Sequence, residues 1–263
     1  MLRSVFVSTL FFAVAFPASA HDLRAIGSKL TGEVGDESLV RITLGHGLPG
    51  EELVGYDRLE HLLIRGPSGS ERNVLGRSDE LARTLLKLEE QGVYQGLVVG
   101  KAEIETKVEG ADGKHRHVDG PKSSVKQGKV ISATRGQKFA KTLIVVGRPT
   151  KAVEVSGLPF DIVPLDLPSK WRAGARLRFR VLYNGAPLAD LPVRGAAVPA
   201  GEKPDRENWT LNAKTDRAGE VSFDFSAGRW HLEAEREFAA EPARRADYDR
   251  ESYVTSVSFE VRP

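Results

Sequence analysis

Apolar and polar side chains alternate with a period of two through much of this chain, the spacing that turns one face of a β-strand inward and the other toward solvent. Residues 38–44 (Ser-Leu-Val-Arg-Ile-Thr-Leu) alternate in this way and end in Gly45-His46-Gly47-Leu48-Pro49-Gly50, dense in turn formers. Residues 59–64 form a second run, closed by Gly66-Pro67-Ser68-Gly69. Residues 78–91 carry two patterns. Ser78 and Glu80 with Leu81, Leu85 and Leu88 suit a capped helix. Leu86-Lys87-Leu88 followed by Gly92 and the run from Tyr94 to Val99 reads instead as two strands of a hairpin, and Gly92 favours the hairpin for the second half. Residues 109–129, polar and rich in Gly and Lys, read as a long exposed loop, and residues 141–147 as a buried strand that closes a first unit.

A second unit begins near Phe160-Asp161-Ile162-Val163-Pro164, where Pro164 and Pro168 confine the strand to an edge or an end. Residues 177–183 alternate strictly and turn at Asn184-Gly185, a strong hairpin signal. Residues 187–193, 215–225, 229–234 and 253–261 complete a set of short strands spaced as in an immunoglobulin-like sandwich. A faint repeat links the halves: Leu86-x-Leu88 leads to Gly92-Val93-Tyr94, and Phe223-x-Phe225 leads to Gly228-Arg229-Trp230. The expected fold is all-β, two tandem immunoglobulin-like β-sandwich units over residues 21–155 and 156–263, after a cleaved signal peptide of residues 1–20.

That signal is laid out in the usual way: Arg3, an apolar run from Val5 to Phe16, then Pro17-Ala18-Ser19-Ala20. The run is shorter than the ~20 residues a membrane span needs, so cleavage after Ala20 and a mature chain in the periplasm, without stable membrane insertion, are expected. The 38 Lys and Arg against 36 Asp and Glu alternate in sign, which is the pattern of a solvated surface and not of a nucleic-acid binder. Cysteine is absent, which excludes disulfides, thiolate metal sites and a cysteine nucleophile.

Several stretches together resemble a known family. They are the mature start His21-Asp22, the turn from Gly45 to Glu52, Phe139-Ala140-Lys141-Thr142-Leu143, and the link from Gly157 to Pro164. Asn184-Gly185-Ala186-Pro187-Leu188, Thr215-Asp216-Arg217-Ala218-Gly219 and Phe259-Glu260-Val261 complete the match. The chain is similar to a bacterial periplasmic family described as a domain of unknown function linked to nickel or cobalt uptake, or as the periplasmic component of a cobalt transport system. The resemblance implies two β-sandwich units and a metal-linked role, with a membrane metal transporter as partner.

A metal site without cysteine uses imidazole nitrogen and carboxylate oxygen, which suit nickel, cobalt, copper or zinc. Of the six histidines, His21 is the leading candidate, since cleavage after Ala20 would give it a free amine beside its imidazole. His46 lies in a Gly-rich turn with Glu51 and Glu52 close behind, and His115 and His117 sit two residues apart. His61 and His231 read as ordinary surface or core residues. No nucleophile elbow, His-Glu-x-x-His, phosphate loop or dinucleotide fingerprint occurs in the sequence. The expectation is a non-enzymatic protein that binds nickel or cobalt and assists its uptake. The alternative is a metal-independent sandwich module that binds a protein or a cell-wall glycan.

Overall fold

A computed structural model describes residues 22–198, 205–206 and 209–263; the signal segment and His21 lie outside them. Among the described residues the chain is all-β, with four short 3₁₀ turns and no α-helix, and no helix is long and apolar enough to cross a membrane.

The longer strands of the first half are β1 (Asp22–Gly27), β2 (Glu37–Gly45), β3 (Leu59–Arg65), β4 (Arg83–Lys87), β5 (Gly92–Gly100), β6 (Glu103–Glu109), β7 (His115–Asp119) and β8 (Lys129–Val146). The second half supplies β9 (Phe160–Pro164), β10 (Arg176–Tyr183), β11 (Pro192–Ala197), β12 (Leu211–Lys214), β13 (Glu220–Asp224), β14 (Gly228–Ala239) and β15 (Arg250–Val261). One large sheet runs through both halves in the order β12-β11-β14-β15-β8-β5-β3, with β6 and β7 added along the first part of β8. The halves meet where β8 and β15 pair in parallel, from Thr134–Arg250 to Thr142–Ser258. A sheet of β1, β2 and β4 covers part of this layer, and a sheet of β9, β10 and β13 covers another.

Strand β8 shows why both covers are needed. Phe139, Leu143 and Val145 point into an aromatic core with Phe160, Phe179 and Phe223 of the second cover. Ala140, Ile144 and Val146 point the other way, into a core with Leu23, Ile42 and Leu86 of the first. Alternation of side chains along a strand feeds two cores from one element. In β5, Leu97 and Val99 divide from Tyr94 and Val98 in the same manner.

Two expectations change. Strands β4 and β5 do not form a hairpin: β4 pairs with β2 in the cover, whereas β5 pairs with β3 and β8 in the large sheet. The turn between them is an arch from one layer to the other, because Leu86 and Tyr94 face a common core from opposite sheets. The faint repeat is a second arch of this kind, from β13 to β14. Gly92 and Gly228 take positive φ, 144° and 134°, and the aromatic that follows each ties back to the turn. Tyr94 Oη accepts the backbone N–H groups of Glu89 and Glu90, and Trp230 Nε1 donates to Ser226 O. Residues 109–129 are likewise not one long loop: β6 and β7 form a hairpin there, with Glu109 paired to His115.

Candidate metal site at the start of β1

Every residue of β1 is buried. Its first residue, Asp22, pairs with Gly45, the last residue of β2. In antiparallel strands these are the same end, and His46, which follows Gly45, leaves from this pair. Arg24 anchors the turn by donating Nη1 to Gly45 O at 2.7 Å and Gly47 O at 3.1 Å. Thr43 Oγ1 donates to Pro49 O, and Glu51 Oε2 accepts the backbone N–H of His46 at 3.3 Å. The His46 side chain and both glutamates remain exposed or nearly so.

Behind this end lies a buried polar network. Asp22 Oδ2 is 3.5 Å from Arg24 Nη2 and 3.6 Å from Arg194 Nη2. Arg194 also holds Glu233 through Nε at 3.0 Å and through Nη2, and its guanidinium lies over the Trp209 ring, 4.2 Å from the centroid. His231 is fully buried between Trp209 and Ser258, with Nδ1 3.1 Å from Ser258 Oγ and Nε2 3.9 Å from Glu233 Oε2. Burial, then the charge of Glu233, pushes the Asp22 carboxyl up to about 6 against the pull of Arg24, Arg194 and Lys138. Burial, helped by Arg24, drives His231 well below the usual imidazole range, so it is neutral. Desolvation also lowers the Lys138 ammonium and raises the Glu235 carboxyl.

From His231 the polar face of β14 continues through Glu233, Glu235 and Glu237 into an open cleft of about 670 Å³. Its floor is the large sheet where the first cover stops, and its lining includes Glu105, Lys107, His117 and Lys138 but no Phe, Tyr or Trp.

Of the four sequence candidates, the three that are described, His46, His115 and His117, do not gather at one place. His46 stands at the β1–β2 end. His115 and His117 lie exposed on β7, and His117 Nδ1 is 2.6 Å from Glu105 Oε1 at the cleft. His21 lies outside the described residues. Among the described residues no group of three His, Asp or Glu side chains has the geometry to hold a metal ion. His61 is exposed on β3, 3.8 Å from Glu60. Sequence reading passed over Asp22, Arg194 and Glu233 and took His231 for an ordinary surface or core residue. The available signal was a period-two row, His231-x-Glu233-x-Glu235, opposite the apolar row Trp230-x-Leu232-x-Ala234.

Residues 18–237 match the family described as Domain of unknown function (DUF4198). The chain belongs to that family. No curated protein matches it. Among solved structures it is similar to Salmonella alpha-2-macroglobulin reacted with methylamine, at 14% identity and a TM-score of 0.23, over 95% of this chain and 15% of that one. It is also similar to the Yersinia pseudotuberculosis adhesin InvE, at 15% identity and a TM-score of 0.20, over 91% of this chain and 58% of that one. The chain thus spans less than two thirds of either.

Proposed function

We propose that this DUF4198 protein is an exported, non-enzymatic carrier of nickel or cobalt, acting in the periplasm beside a membrane metal transporter. Each half would serve as an immunoglobulin-like sandwich unit. The ion would be held at the start of β1 by the amine and imidazole of His21 and the imidazole of His46, with Glu51 or Glu52 adding an oxygen. The observation that supports this most is the Asp22–Gly45 pair, because Asp22 follows His21 and Gly45 precedes His46 in the sequence. The donor set fits: nitrogen ligands of this kind suit nickel, cobalt, copper and zinc, and neutral imidazoles release the ion on protonation. Asp22 and Glu233 are less suited as ligands, since Arg24 and Arg194 already stand against their oxygens. Their part would be to hold β1 rigid. His115 and His117, on an exposed edge hairpin, would form at most a separate and weaker site.

Calorimetric titration of mature protein starting at His21 with nickel, cobalt, copper and zinc should give micromolar or tighter binding of nickel or cobalt. One extra residue before His21 should abolish it, and His46→Ala should weaken it by about tenfold or more, or ~1.4 kcal/mol. Tight binding that survives both changes would move the site elsewhere. No binding by any of the four ions would leave the metal-independent reading, for which the cleft offers a surface. Its lack of aromatic rings, on which sugars commonly stack, favours a polar protein segment over a glycan there.

A further inference from the structure

Lys141 projects from β8 into the aromatic core, on the face that also carries Phe139 and Leu143. Its Nζ lies 2.5 Å from Oδ1 of Asp161 on β9, and both side chains are only 1% exposed. Among the described residues this is the single hydrogen bond that Nζ makes. An ammonium carries three N–H donors, and the described residues accept one of them. Asp161 is gripped from its other side, where Oδ2 accepts the backbone N–H of Ser156 at 3.1 Å and its Oγ–H at 2.6 Å. Ser156 Oγ is itself fixed by the N–H of Leu158 at 3.2 Å.

A fully buried ion pair is a costly end state, because its desolvation is recovered only when both groups are completely hydrogen-bonded. An amide between the same two groups carries no charge and presents one donor and one acceptor. We propose that Lys141 and Asp161 condense into an intramolecular isopeptide bond that ties β8 of the large sheet to β9 of the second cover.

The atoms balance with water as the product. One proton passes from the Nζ ammonium to Oδ1, leaving an amine and a carboxylic acid. The Nζ lone pair then attacks Cγ, and the negative charge develops on Oδ2, where the two Ser156 donors already point, as in an oxyanion hole. A second proton passes from Nζ to the Oδ1 hydroxyl, the Cγ–Oδ1 bond breaks, and water leaves as Oδ2 returns to a carbonyl. No oxidant, reductant or second substrate takes part. Contact between the reacting groups in the folded chain replaces a bimolecular encounter.

Intact mass spectrometry of the purified mature protein tests this. The mass should lie about 18 Da, one water, below that of the sequence. Proteolysis should release a branched peptide joining the segment around Lys141 to the segment around Asp161, and Lys141→Arg should restore the full mass. A wild-type mass equal to that of the sequence overturns the proposal. So does a deficit that maps to the Asp112-Gly113 or Asp119-Gly120 steps, where a succinimide loses the same water, with Lys141 recovered unmodified. The wild-type peptide map decides the matter even if the variant fails to fold.

Discussion

Asp22 and His231 are pushed in opposite senses by the same burial, and this gives each a distinct pH signature. The Asp22 carboxyl, raised to about 6, takes up its proton in the folded chain at a pH where the unfolded carboxyl, near 4, is still ionised. Its contribution to stability is therefore lost as pH rises from ~4 through ~6. His231 refuses a proton in the folded chain, whereas the unfolded imidazole accepts one below ~6.5, so its contribution is lost as pH falls through ~6.5. In the wild-type protein the two slopes oppose each other between ~pH 4 and ~pH 6. Urea midpoints measured across this range in the presence of a chelator should separate them. Relative to wild type, His231→Gln should tilt the profile so that stability falls more with rising pH, and Asp22→Asn should tilt it the other way. Equal tilts in both variants would mean that the network does not act through these groups. Little of this was legible in the sequence. His21 drew notice because a cleavage motif precedes it. Asp22 beside it meets Arg24, two residues on, and also Arg194 from the second half of the chain, and nothing local marks that second pairing.

Among the elements, turns were legible to the extent that backbone conformation dictates residue type. Asn184 and Gly185 were expected to reverse the chain, and they do so with φ of 49° and 78°, joining Tyr183 to Ala186 across the hairpin. Apart from its own chain neighbours, no heavy atom lies within 4 Å of where a Cβ on Gly185 would sit. Gly185→Ala therefore meets no clash, and its cost is that of left-handed backbone alone. Urea unfolding should show a loss of about 1–2 kcal/mol with an unchanged m-value; a neutral result would mean that the turn relaxes to another type. The arch from β4 to β5 was legible as two strands and a glycine but not as an arch. A hairpin and an arch share the same local sequence, and only the core into which Leu86 and Tyr94 both point distinguishes them. The β6–β7 hairpin was missed because its exposed face carries the charged and histidine side chains that also mark loops.

At the scale of the whole molecule, the halves are joined by main chain as well as by side chains. Strand β8 spans 18 residues, of which only the apolar end was readable as a strand. Its first part faces the cleft with Ser132, Thr134, Gly136 and Lys138, a polar row with no strand signature, and this part pairs with β15. Hydrogen bonds between backbones leave no trace in side-chain pattern, so the sequence divides near residue 155 where the sheet does not. Continuity of the sheet makes a definite demand on unfolding. All three tryptophans, Trp171, Trp209 and Trp230, belong to the second half, so tryptophan fluorescence reports that half alone. Ile42, fully buried on β2 in the first cover, lies in the other core. Ile42→Ala should cost about 2–5 kcal/mol and should move the fluorescence transition by the same amount as the far-UV transition, since a sheet shared by both cores unfolds as one unit. Two independent units would behave otherwise: the fluorescence midpoint would stay at its wild-type position while the far-UV curve split, and that outcome would return the chain to two separately folding halves.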